Sequence, residues 1–505
     1  MTTLRADVAV IGSGFAGSLF ALIARRIGLD VVLIERGRHP RFALGESTTP
    51  LSNLILAGLA RRYRLPRLFE RVHYGPWKRA RPDLPVGVKR GFTFFRHKEG
   101  EAMETGAAGR LLVEASDRDE VADVQWLRAS FDEFLVGEAV QAGVTYLDRI
   151  EVEVEKAGDP FLLAGWREGE RYRVEARLLV DATGEGGFLE RAFSIPERAA
   201  RTEKHRVSAL FAHFAGVQRI TPVLEKAGHP TRLFPYRCDD AAVHHIFDAG
   251  WMWHLRFDNG VTSAGFLFDG EKTADDPEEG PAAAWNRWTS RFPTLSEIYR
   301  DAVPVRPVRY QSRISRFFDR ASGGNWVLLP HAAYFVDPLL SGGIPHSLAA
   351  VERLARLLEK GMAAPTFSGE LERLGREVLE EAEGLEELVR GCYRSFPRFE
   401  LFTAFVMHYF VAASSLEISR RAGDGEPDQA GFLRMRDPRF RAALAQSRAE
   451  LERLLAAGPG DAGSFLRRVA SRLAPWNRER FCDPSAGNIY RSPVRPEEVW
   501  REEIQ

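Results

Sequence analysis

The sequence has little cysteine, no net charge and no long uninterrupted apolar run. Cys238, Cys392 and Cys482 lie far apart and form no CxxC pair, which excludes a disulfide framework and a cysteine-based zinc site. Lys and Arg total 70, as do Asp and Glu, so no overall field favours nucleic acid or an anionic membrane. The longest apolar tract, residues 402–416, contains His408 and two serines and is too short to span a bilayer. We therefore expect a soluble cytoplasmic protein with no membrane span, nucleic-acid partner or metal.

What the chain does contain is ordinary for a globular protein. It has 505 residues, of which 45% are hydrophobic and 28% are charged. This length corresponds to roughly three domain-sized units. A chain of this size hides about three quarters of its unfolded surface, so a large core is expected.

A glycine-rich motif follows the first apolar strand. The match to GxGxxG is Gly12-Ser13-Gly14-Phe15-Ala16-Gly17, after the strand DVAVI and at the start of a helix. The first glycine makes the tight turn, the second lets the backbone approach a pyrophosphate, and the third allows close helix–strand packing. Glu35 ends the next strand, where a carboxylate accepts hydrogen bonds from a ribose. The pattern predicts a dinucleotide site; a tight turn without a ligand is the alternative.

Three further motifs add a family resemblance. They are the Gly45-Glu46-Ser47-Thr48-Thr49-Pro50 run, the DATG of residues 181–184 at a strand end, and residues 335–344 before a helix. Over residues 7–360 the chain resembles the glutathione-reductase-type FAD fold in its monooxygenase-like branch, and within it the flavin-dependent halogenases. The resemblance implies that FAD is held by Gly12, Gly14, Phe15, Ala16, Gly17, Glu35, Arg36, Glu46, Ser47, Arg128, Asp181, Gly184 and Asp337. For Arg128, a solvated helix arginine is the alternative.

The expected fold class is α/β, with three parts. They are a glutathione-reductase-type FAD-binding domain from the discontinuous segments 1–60, 105–190 and 300–360, a β-sheet substrate domain from 61–104 and 191–299, and a helical C-terminal cap from 361–505. Apolar residues alternate with period two from about residue 207 to 270, which predicts the strands of the substrate domain. The Rossmann-like strand–loop–helix at the N-terminus anchors the FAD-binding domain.

The loop before the last predicted helix of the FAD-binding domain offers a second ligand site. Ser341, Gly342 and Gly343 supply unobstructed backbone N–H groups at the positive end of a helix dipole. Such a nest can hold the flavin pyrimidine edge or a small anion. The resemblance implies that it binds halide, either chloride or bromide; a plain helix cap with a glycine turn is the alternative.

Two departures from the family pattern concern the flavin. Flavoproteins of this type carry Gly-Asp before the loop of residues 335–344, the late loop. Pro330-His331 stands there instead, which predicts weak FAD binding. There is no second GxGxxG motif and no other visible motif for a nicotinamide cofactor. We therefore expect FAD to be supplied in reduced form by a separate flavin reductase.

The resemblance assigns the separation of substrate from flavin to an aromatic strand, and halogen transfer to a lysine. Trp251 and Trp253 alternate onto one strand face, although Leu255-Arg256 replaces the family's Ile-Pro; an ordinary aromatic core strand is the alternative. Lys89 stands in a K-x-G-x-x-F context like that of the family's lysine. Burial can deprotonate an amine, which then acts as a nucleophile. A surface lysine is the alternative, and Lys78 is the second candidate for the role.

Residues near the late loop and in the cap indicate the substrate. Leu340 stands where tryptophan-specific halogenases carry a glutamate, which favours a phenol- or pyrrole-like aromatic over free tryptophan. The aromatic tract 399–410 either lines a substrate tunnel or forms a core helix. The predicted function is a flavin-dependent halogenase that acts through hypohalous acid and a lysine on a free or carrier-tethered aromatic. A flavin monooxygenase, a double-bond reductase of the geranylgeranyl-reductase type, and a non-catalytic FAD-binding protein stay open.

Overall fold

Two large β-sheets and a set of C-terminal helices make up the fold. The computed structural model describes residues 1–198, 206–270, 279–423, 429–458 and 462–492. The strands in these ranges are β1 (Thr2–Ile11), β2 (Val31–Ile34), β3 (Val86–Lys89), β4 (Gly91–Arg96), β5 (Arg110–Glu114), β6 (Asp123–Trp126), β7 (Thr145–Leu147), β8 (Glu151–Lys156), β9 (Phe161–Arg167), β10 (Glu170–Asp181), β11 (Val207–Ala215), β12 (Ala242–Phe247), β13 (Gly250–Arg256), β14 (Thr262–Asp269), β15 (Val303–Pro304), β16 (Arg309–Gln311), β17 (Arg316–Phe317), β18 (Ser322–Gly323), β19 (Trp326–Leu328), β20 (Tyr334–Phe335) and β21 (Ile489–Tyr490). The α-helices are α1 (Phe15–Ile27), α2 (Pro50–Arg62), α3 (Pro66–Phe69), α4 (Tyr74–Ala80), α5 (Arg128–Gln141), α6 (Leu189–Ala192), α7 (Ile220–Lys226), α8 (Pro281–Ser290), α9 (Pro293–Ile298), α10 (Pro330–Ala333), α11 (Gly343–Glu359), α12 (Phe367–Ser395), α13 (Phe399–Phe405), α14 (Met407–Ala422), α15 (Pro438–Ala456) and α16 (Ala462–Leu473).

The first sheet carries the glycine loop. Its order is β18-β19-β10-β1-β2-β7, and β1 pairs in parallel with both β10 and β2. Parallel neighbours need a crossover connection, which α1 supplies between β1 and β2. The apolar ends of these strands, residues 8–11 and 31–34, are buried, as expected for a sheet covered on both faces. The carboxyl ends of β1, β2 and β10 meet at one edge, where open α/β sheets bind ligands.

The second sheet is largely antiparallel. Its order is β15-β11-β14-β13-β12-β4-β5-β21, with β16 beside β11. One face packs into the core shared with the first sheet and the C-terminal helices, while the other packs against Trp285 and Trp288 of α8. The Asp258-Asn259-Gly260 triplet forms the turn between β13 and β14, and Gly260 takes a φ of 82°.

Some segments join a different part of the fold from the one expected. β5, β15 and β16 fall in ranges expected for the FAD-binding domain, but they pair in the second sheet. β21 pairs with β5, although its range was expected to be part of the helical cap. Residues 123–126 form β6 opposite β3, and α5 begins two residues later, at Arg128. Strands this short show too few alternations for their sheet to be predicted from periodicity.

The aromatic tract in the C-terminal part is buried. α13 and α14 are interrupted only at Val406 and form a helical stretch, Phe399–Ala422, of 24 residues, longer than the tract expected to be too short to cross a bilayer. With a mean hydropathy of 1.4, this stretch is apolar enough to cross a membrane by length and composition, but 78% of its most apolar window is buried inside the protein. Phe402 lies 5.4 Å from Phe94 of β4 between ring centroids. Such packing is typical of a core helix, which was one of the two interpretations of this tract.

Candidate active site

The glycine loop at the carboxyl end of β1 is shaped by close packing and leaves one side open. Gly12 has a φ of 98°, and a Cβ there would lie 2.6 Å from the carbonyl oxygen of Ala182. A Cβ on Gly17 would collide with the carbonyl oxygen of Gly12. A Cβ on Gly14 would meet nothing closer than Nη2 of Arg128 at 3.5 Å. The first and third glycines are therefore required by the fold, whereas the second leaves space at the start of α1 for a ligand to approach.

Phe15 and Ala16 continue the loop as the first two residues of α1, and both are buried. The Phe15 ring lies 5.5 Å from Trp126 and 5.9 Å from His331, measured between ring centroids. These contacts join the glycine loop to β6 and to α10, so the loop is held by packing as well as by its backbone.

Glu35 follows β2 and directs its carboxylate into the glycine loop. Its Oε2 accepts hydrogen bonds from the backbone N–H and the hydroxyl of Ser13, at 3.0 and 2.9 Å, and lies 3.3 Å from Arg41. Its Oε1 accepts a bond from the Gly37 N–H at 2.9 Å. Burial raises the pKa of Glu35, but Arg41 and the hydrogen bonds outweigh it and lower the pKa overall. Arg36, the next residue, is exposed.

Arg128 is buried at the start of α5, which excludes the solvated-arginine interpretation. Its guanidinium pairs with both carboxylate oxygens of Asp132 at 2.8 Å. It also donates to the carbonyl oxygens of Leu44 and Gly45, at 2.6 and 3.0 Å. The guanidinium carbon lies 4.9 Å from the centre of the Phe15 ring. Arg128 therefore connects the glycine loop to the loop that carries Glu46 and Ser47.

Glu46 and Ser47 lie side by side in different environments. The Glu46 carboxylate is buried, and its Oε1 lies 2.8 Å from Nε2 of His213 on β11. This contact joins the loop that carries Glu46 and Ser47 to the second sheet. Ser47 forms an isolated β-bridge with Gln125. The Ser47 hydroxyl is buried and has no hydrogen-bond partner among the described residues. A buried hydroxyl of this kind can serve a ligand.

Asp181 organises its own loop. Its Oδ1 accepts bonds from the backbone N–H and hydroxyl of Thr183, at 2.9 and 2.7 Å, and its Oδ2 accepts bonds from the N–H groups of Phe188 and Leu189, at 3.2 and 2.7 Å. Burial raises the pKa of Asp181, against the effect of these bonds. Gly184, at a φ of 61°, starts the short 3-10 helix of this loop. The carboxylate expected to contact the cofactor is thus used in shaping the loop beside it.

The late loop ends at the N-terminus of α11. Ser341 has a φ of 51°, Gly342 precedes the helix without a side-chain cap, and Gly343 is its first residue. A Cβ on Gly343 would lie 2.8 Å from Nε2 of His331, whose Nδ1 lies 2.7 Å from the hydroxyl of Ser347. Burial lowers the pKa of His331 to about 3, so a neutral imidazole stands where the family pattern has an acid. The N-terminal amides of α11 and its dipole therefore face no neighbouring carboxylate from this position.

Asp337 links the late loop to the aromatic strand through the cap. Its Oδ1 accepts the Leu339 N–H at 2.8 Å, and its Oδ2 accepts the Tyr393 hydroxyl at 2.6 Å. The same hydroxyl accepts a hydrogen bond from the indole N–H of Trp251 at 3.0 Å. Burial raises the pKa of Asp337 to about 7, against the effect of its hydrogen bonds. The late loop, α12 and β13 are thus joined at one point.

The aromatic strand β13 presents both tryptophans to the core shared with the first sheet. Trp251 and Trp253 are buried, with ring centroids 6.3 Å apart. The indole N–H of Trp253 donates to the Ser263 hydroxyl at 3.1 Å. The opposite residue is Gly265, and a Cβ there would collide with the Trp253 ring. Each indole is therefore held in a fixed orientation by a hydrogen bond and by close packing.

Lys89, the last residue of β3, is fully buried, with 0% of its surface exposed. Its Nζ donates to the Thr48 carbonyl oxygen at 2.6 Å and lies 3.9 Å from the centre of the Phe92 ring. Burial lowers the pKa of Lys89 to about 7. Lys78 is 27% exposed and forms an ion pair with Asp258 at 2.8 Å. The structure therefore separates the two candidates: Lys89 is a buried amine whose pKa is lowered, and Lys78 is a partly exposed side chain in an ion pair.

Sequence reasoning missed His244, which contacts Trp251, lies opposite Trp253 on the neighbouring strand and is close enough to Lys89 for the lysine to affect its pKa. The His244 ring lies 4.5 Å from Phe94 and 5.2 Å from Trp251 between centroids, and its Nδ1 lies 3.2 Å from the Thr93 carbonyl oxygen. Burial, together with Lys89, lowers the pKa of His244 to about 3, so the ring is neutral. The signal was the His244-His245 pair in an alternating strand, since alternation places one of two neighbours on each face.

Buried aromatic and aliphatic side chains also pack around Lys89 and the late loop. Leu340 is buried within the late loop. Phe92 and Phe94 of β4 contact Tyr409 and Phe410 of α14 at centroid distances of 5.6–6.3 Å. Among the residues that the structure describes, no group of three or more His, Cys, Asp or Glu is arranged to hold a metal ion.

Known proteins share this sequence pattern and fold. A family model described as tryptophan halogenase matches residues 124–401, more than half of the chain. The monodechloroaminopyrrolnitrin halogenase PrnC of Pseudomonas fluorescens is 26% identical over 96% of this chain and 87% of that protein. The tetracycline 7-halogenase of Kitasatospora aureofaciens is 28% identical over 81% of this chain and 73% of that protein. The structure of halogenase PltM in complex with phloroglucinol and FAD superposes with a TM-score of 0.84 at 22% identity, covering 96% of this chain and 99% of that one. The predicted α/β fold class is thereby confirmed over nearly the whole chain.

Proposed function

Since the chain belongs to the tryptophan halogenase family, we propose that it is a flavin-dependent halogenase that acts on an electron-rich aromatic compound. The observation that carries the proposal is the buried amine of Lys89, which lies beside the ring of Phe92 in the core that also holds Trp251 and Trp253. A lysine without solvent contact lowers the stability of the folded protein, which favours a chemical role over a structural one. Three cysteines, all free and buried, agree with a cytoplasmic enzyme.

The residues present fit FAD. Gly14 leaves the start of α1 open, and the Ser47 hydroxyl is buried without a partner among the described residues. Glu35 keeps acceptor capacity on Oε1, which accepts one hydrogen bond among the described residues, from the Gly37 N–H, and can also accept a ribose hydroxyl. The glycine loop, Glu35, Arg128 and Ser47 would hold the cofactor. When bound and supplied reduced by a separate reductase, FAD provides with O2 and halide the oxidation that yields hypohalous acid.

The proposed halide site is the N-terminus of α11. Gly342 and Gly343 provide backbone N–H groups, Ser341 provides its hydroxyl because its own N–H is donated to the Pro338 carbonyl oxygen at 3.0 Å, and the helix of 17 residues provides the dipole. The neutral His331 places no negative charge next to these N–H groups, so it does not repel an anion. The family resemblance supports a halide site over a plain helix cap. The position of the loop agrees with this, because it lies at the carboxyl edge of the first sheet, where a flavin would bind.

The tryptophans keep the aromatic substrate and the flavin apart. Trp251 is tied to the late loop through Tyr393 and Asp337, and Trp253 is fixed by Ser263. Two indoles held in this way form an apolar wall that blocks an organic substrate. Hypohalous acid has only two heavy atoms and is less hindered by this wall. Lys89 then lies on the substrate side of the wall.

Lys89 is proposed to receive and transfer the halogen. As a neutral amine it forms a nitrogen–halogen bond with hypohalous acid, and water leaves with the hydroxyl oxygen and one amine proton. The substrate carbon then takes the halogen from nitrogen, and the proton that this carbon loses returns to the amine. Each turnover restores Lys89, so no further base is consumed. Arg cannot replace it, because a guanidinium keeps its charge.

A phenol or pyrrole, free or attached to a carrier protein, is the proposed substrate class. The heteroatom of such a ring stabilises the positive charge that develops when the halogen is added. Leu340 supplies no carboxylate to assist a ring that lacks this help. The apolar surroundings of Phe92 and Phe94 suit an aromatic compound.

The test supplies the enzyme with reduced FAD, O2 and chloride or bromide, and measures hypohalous acid with a halogen-accepting probe and halogenated product with phenol and pyrrole substrates. Lys89→Ala and Lys89→Arg should keep FAD binding and release of hypohalous acid while product falls by about 100-fold or more. Lys78→Ala is the matched control, since it removes a lysine at the surface and should leave product formation unchanged. Near-normal product with Lys89→Arg would contradict the role of the amine.

The same measurement separates the alternative functions. Hydrogen peroxide without hypohalous acid from the wild-type enzyme would favour a flavin monooxygenase or a double-bond reductase of the geranylgeranyl-reductase type. Stoichiometric FAD binding with neither product would favour a non-catalytic FAD-binding protein.

A further inference from the structure

The residue directly opposite Lys89 across the β3–β6 pair is an acid, Asp123. Directly opposite side chains on antiparallel strands lie on the same face, with Cβ atoms about 5 Å apart. Lys89 is 0% exposed and Asp123 is 1% exposed. An amine and a carboxylate therefore share one enclosed space, away from bulk water.

Only one oxygen of the Asp123 carboxylate is paired within the described residues. Asn53 donates to Oδ1 at 2.9 Å, while Oδ2 is buried and has no hydrogen-bond partner there. Lys89 has three N–H donors, of which one binds the Thr48 carbonyl oxygen. The two side chains form no hydrogen bond or ion pair with each other among the described residues, so the carboxylate acts on the amine through its charge, across a space that excludes water.

Several charged or titratable groups surround the pair. Arg421 of α14 acts on Asp123; the groups on which the pair acts are His244 of β12 and Tyr409 and Glu417 of α14; and His73 lies next to Asn53 of α2, which binds Asp123. Burial raises the pKa of Asp123 to about 7, against the effect of Lys89 and Arg421. Burial lowers the pKa of Lys89 to about 7, against the effect of Asp123.

We propose that Asp123 acts through Lys89 as a positioning residue, because its carboxylate faces the amine across the β3–β6 pair, stabilises the ammonium form and so sets the pH at which that amine becomes neutral. The inference rests on the proposed function, in which Lys89 must be neutral to accept the halogen.

The carboxylate also keeps the amine basic. Without a negative neighbour, burial alone would lower the pKa of Lys89 further, and a less basic amine is a weaker acceptor. Asp123 therefore holds the lysine at a pKa close to the working pH, where it is neutral in a large fraction of molecules and still reactive.

The first measurement follows the Lys89 amine itself and does not depend on turnover. The chain has eight lysines, so the Cε signals of 13C-labelled lysine can be resolved by NMR, and the Lys89 signal is the one lost in Lys89→Met. In the full-length wild type, with and without FAD, Lys89 should titrate near pH 7. In Asp123→Asn its midpoint should fall by about 1 pH unit, because an opposite charge at this range shifts a pKa by roughly that amount.

Asp239→Asn is the matched control. Asp239 is also buried, but it accepts hydrogen bonds from the backbone of Ile220 and Thr221 on the far side of the second sheet. This variant should leave the Lys89 midpoint unchanged. A midpoint that stays or rises in Asp123→Asn would overturn the proposal.

The second measurement compares halogenated phenol with hypohalous acid released, as a function of pH. The ratio should rise with pH through the NMR midpoint in the wild type, and the rise should move to lower pH by the same amount in Asp123→Asn. A shift in the NMR midpoint without a shift in the ratio would overturn the role of Asp123 in the reaction. A wild type that makes no hypohalous acid would contradict the proposed function instead, and the NMR titration would still decide whether Asp123 controls Lys89.

If Asp123→Asn fails to fold, Asn53→Ala decides the question. Loss of the Asn53 donor raises the pKa of Asp123, which weakens its negative charge and lowers the Lys89 midpoint in the same direction by a smaller amount. An unchanged midpoint in this variant would count against the proposal.

Discussion

Replacement of Lys89 by Met separates a catalytic lysine from a structural one. Met has a similar length and volume, so Lys89→Met keeps the packing against Phe92 and removes the charge. Burial lowers the pKa of Lys89 from 10.5 to about 7. At pH 7 a difference of this size between the native and unfolded chains corresponds to about 4 kcal/mol of folding free energy that the native lysine costs.

Two losses oppose the gain from removing the charge. The Thr48 carbonyl oxygen loses its donor from Lys89, at a cost of about 1–3 kcal/mol. Asp123 loses the opposite charge that lowers its pKa, which adds about 0.5 kcal/mol at pH 7. The net effect is a stabilisation of about 0.5–2.5 kcal/mol. For a chain of 505 residues the unfolding entropy is about 1 kcal/mol per degree, so Tm should rise by about 0.5–2.5 °C.

The pH dependence of this gain has a definite sign. Because the native pKa of Lys89 lies below the unfolded one, the unfolded chain binds more protons between pH 7 and 10.5, and wild-type stability rises over that window relative to the variant. The advantage of Lys89→Met should therefore be largest at pH 7 and below and disappear towards pH 10.5. Thermal unfolding at several pH values, run beside the halogenation assay, measures both effects. A variant that is less stable at pH 7, or that still halogenates phenol, would refute the reasoning.

Gly14→Val should fold normally, because a Cβ there meets nothing closer than 3.5 Å, but FAD affinity should fall at least about tenfold; full affinity in a binding titration would mean that this loop is not the cofactor site. In a preparation free of reductase, NADPH alone should not reduce bound FAD, and rapid bleaching of the flavin would contradict the need for a separate reductase. Free tryptophan should give far less product than a phenol in the same assay, because Leu340 supplies no carboxylate; efficient chlorination of tryptophan at one ring position would contradict this.

The features predicted well from sequence are those set by local spacing. Gly12 and Gly17 pack as the GxGxxG pattern requires, and period-two alternation correctly places Trp251 and Trp253 on one face. Lys89 was singled out by its local motif, and the structure places it away from solvent as a halogen-accepting amine would require. Its role stays a prediction until the variants are measured.

The partners of these residues could not be predicted, because they come from distant parts of the chain. Tyr393 is 56 residues from Asp337 and 142 residues from Trp251, and no periodic pattern connects them. The same holds for the pairing of Glu46 with His213, which are 167 residues apart. Asp123 was missed for a different reason. It lies in β6, which ends two residues before α5 begins, so the apolar residues of this short strand continue the pattern of the helix.

The hydroxyl of Tyr393 shows how the cap enters the proposed chemistry. It donates to Asp337 in the late loop and accepts from the indole of Trp251, so both of these hydrogen bonds depend on the position of α12. A movement of the late loop therefore cannot leave the Trp251 indole undisturbed, since the shared hydroxyl would lose one partner inside the protein at a cost of about 1–3 kcal/mol. The proposed wall of Trp251 and Trp253 and the proposed halide loop are thereby kept in a fixed relation. This relation is what a route for hypohalous acid from the loop to Lys89 requires.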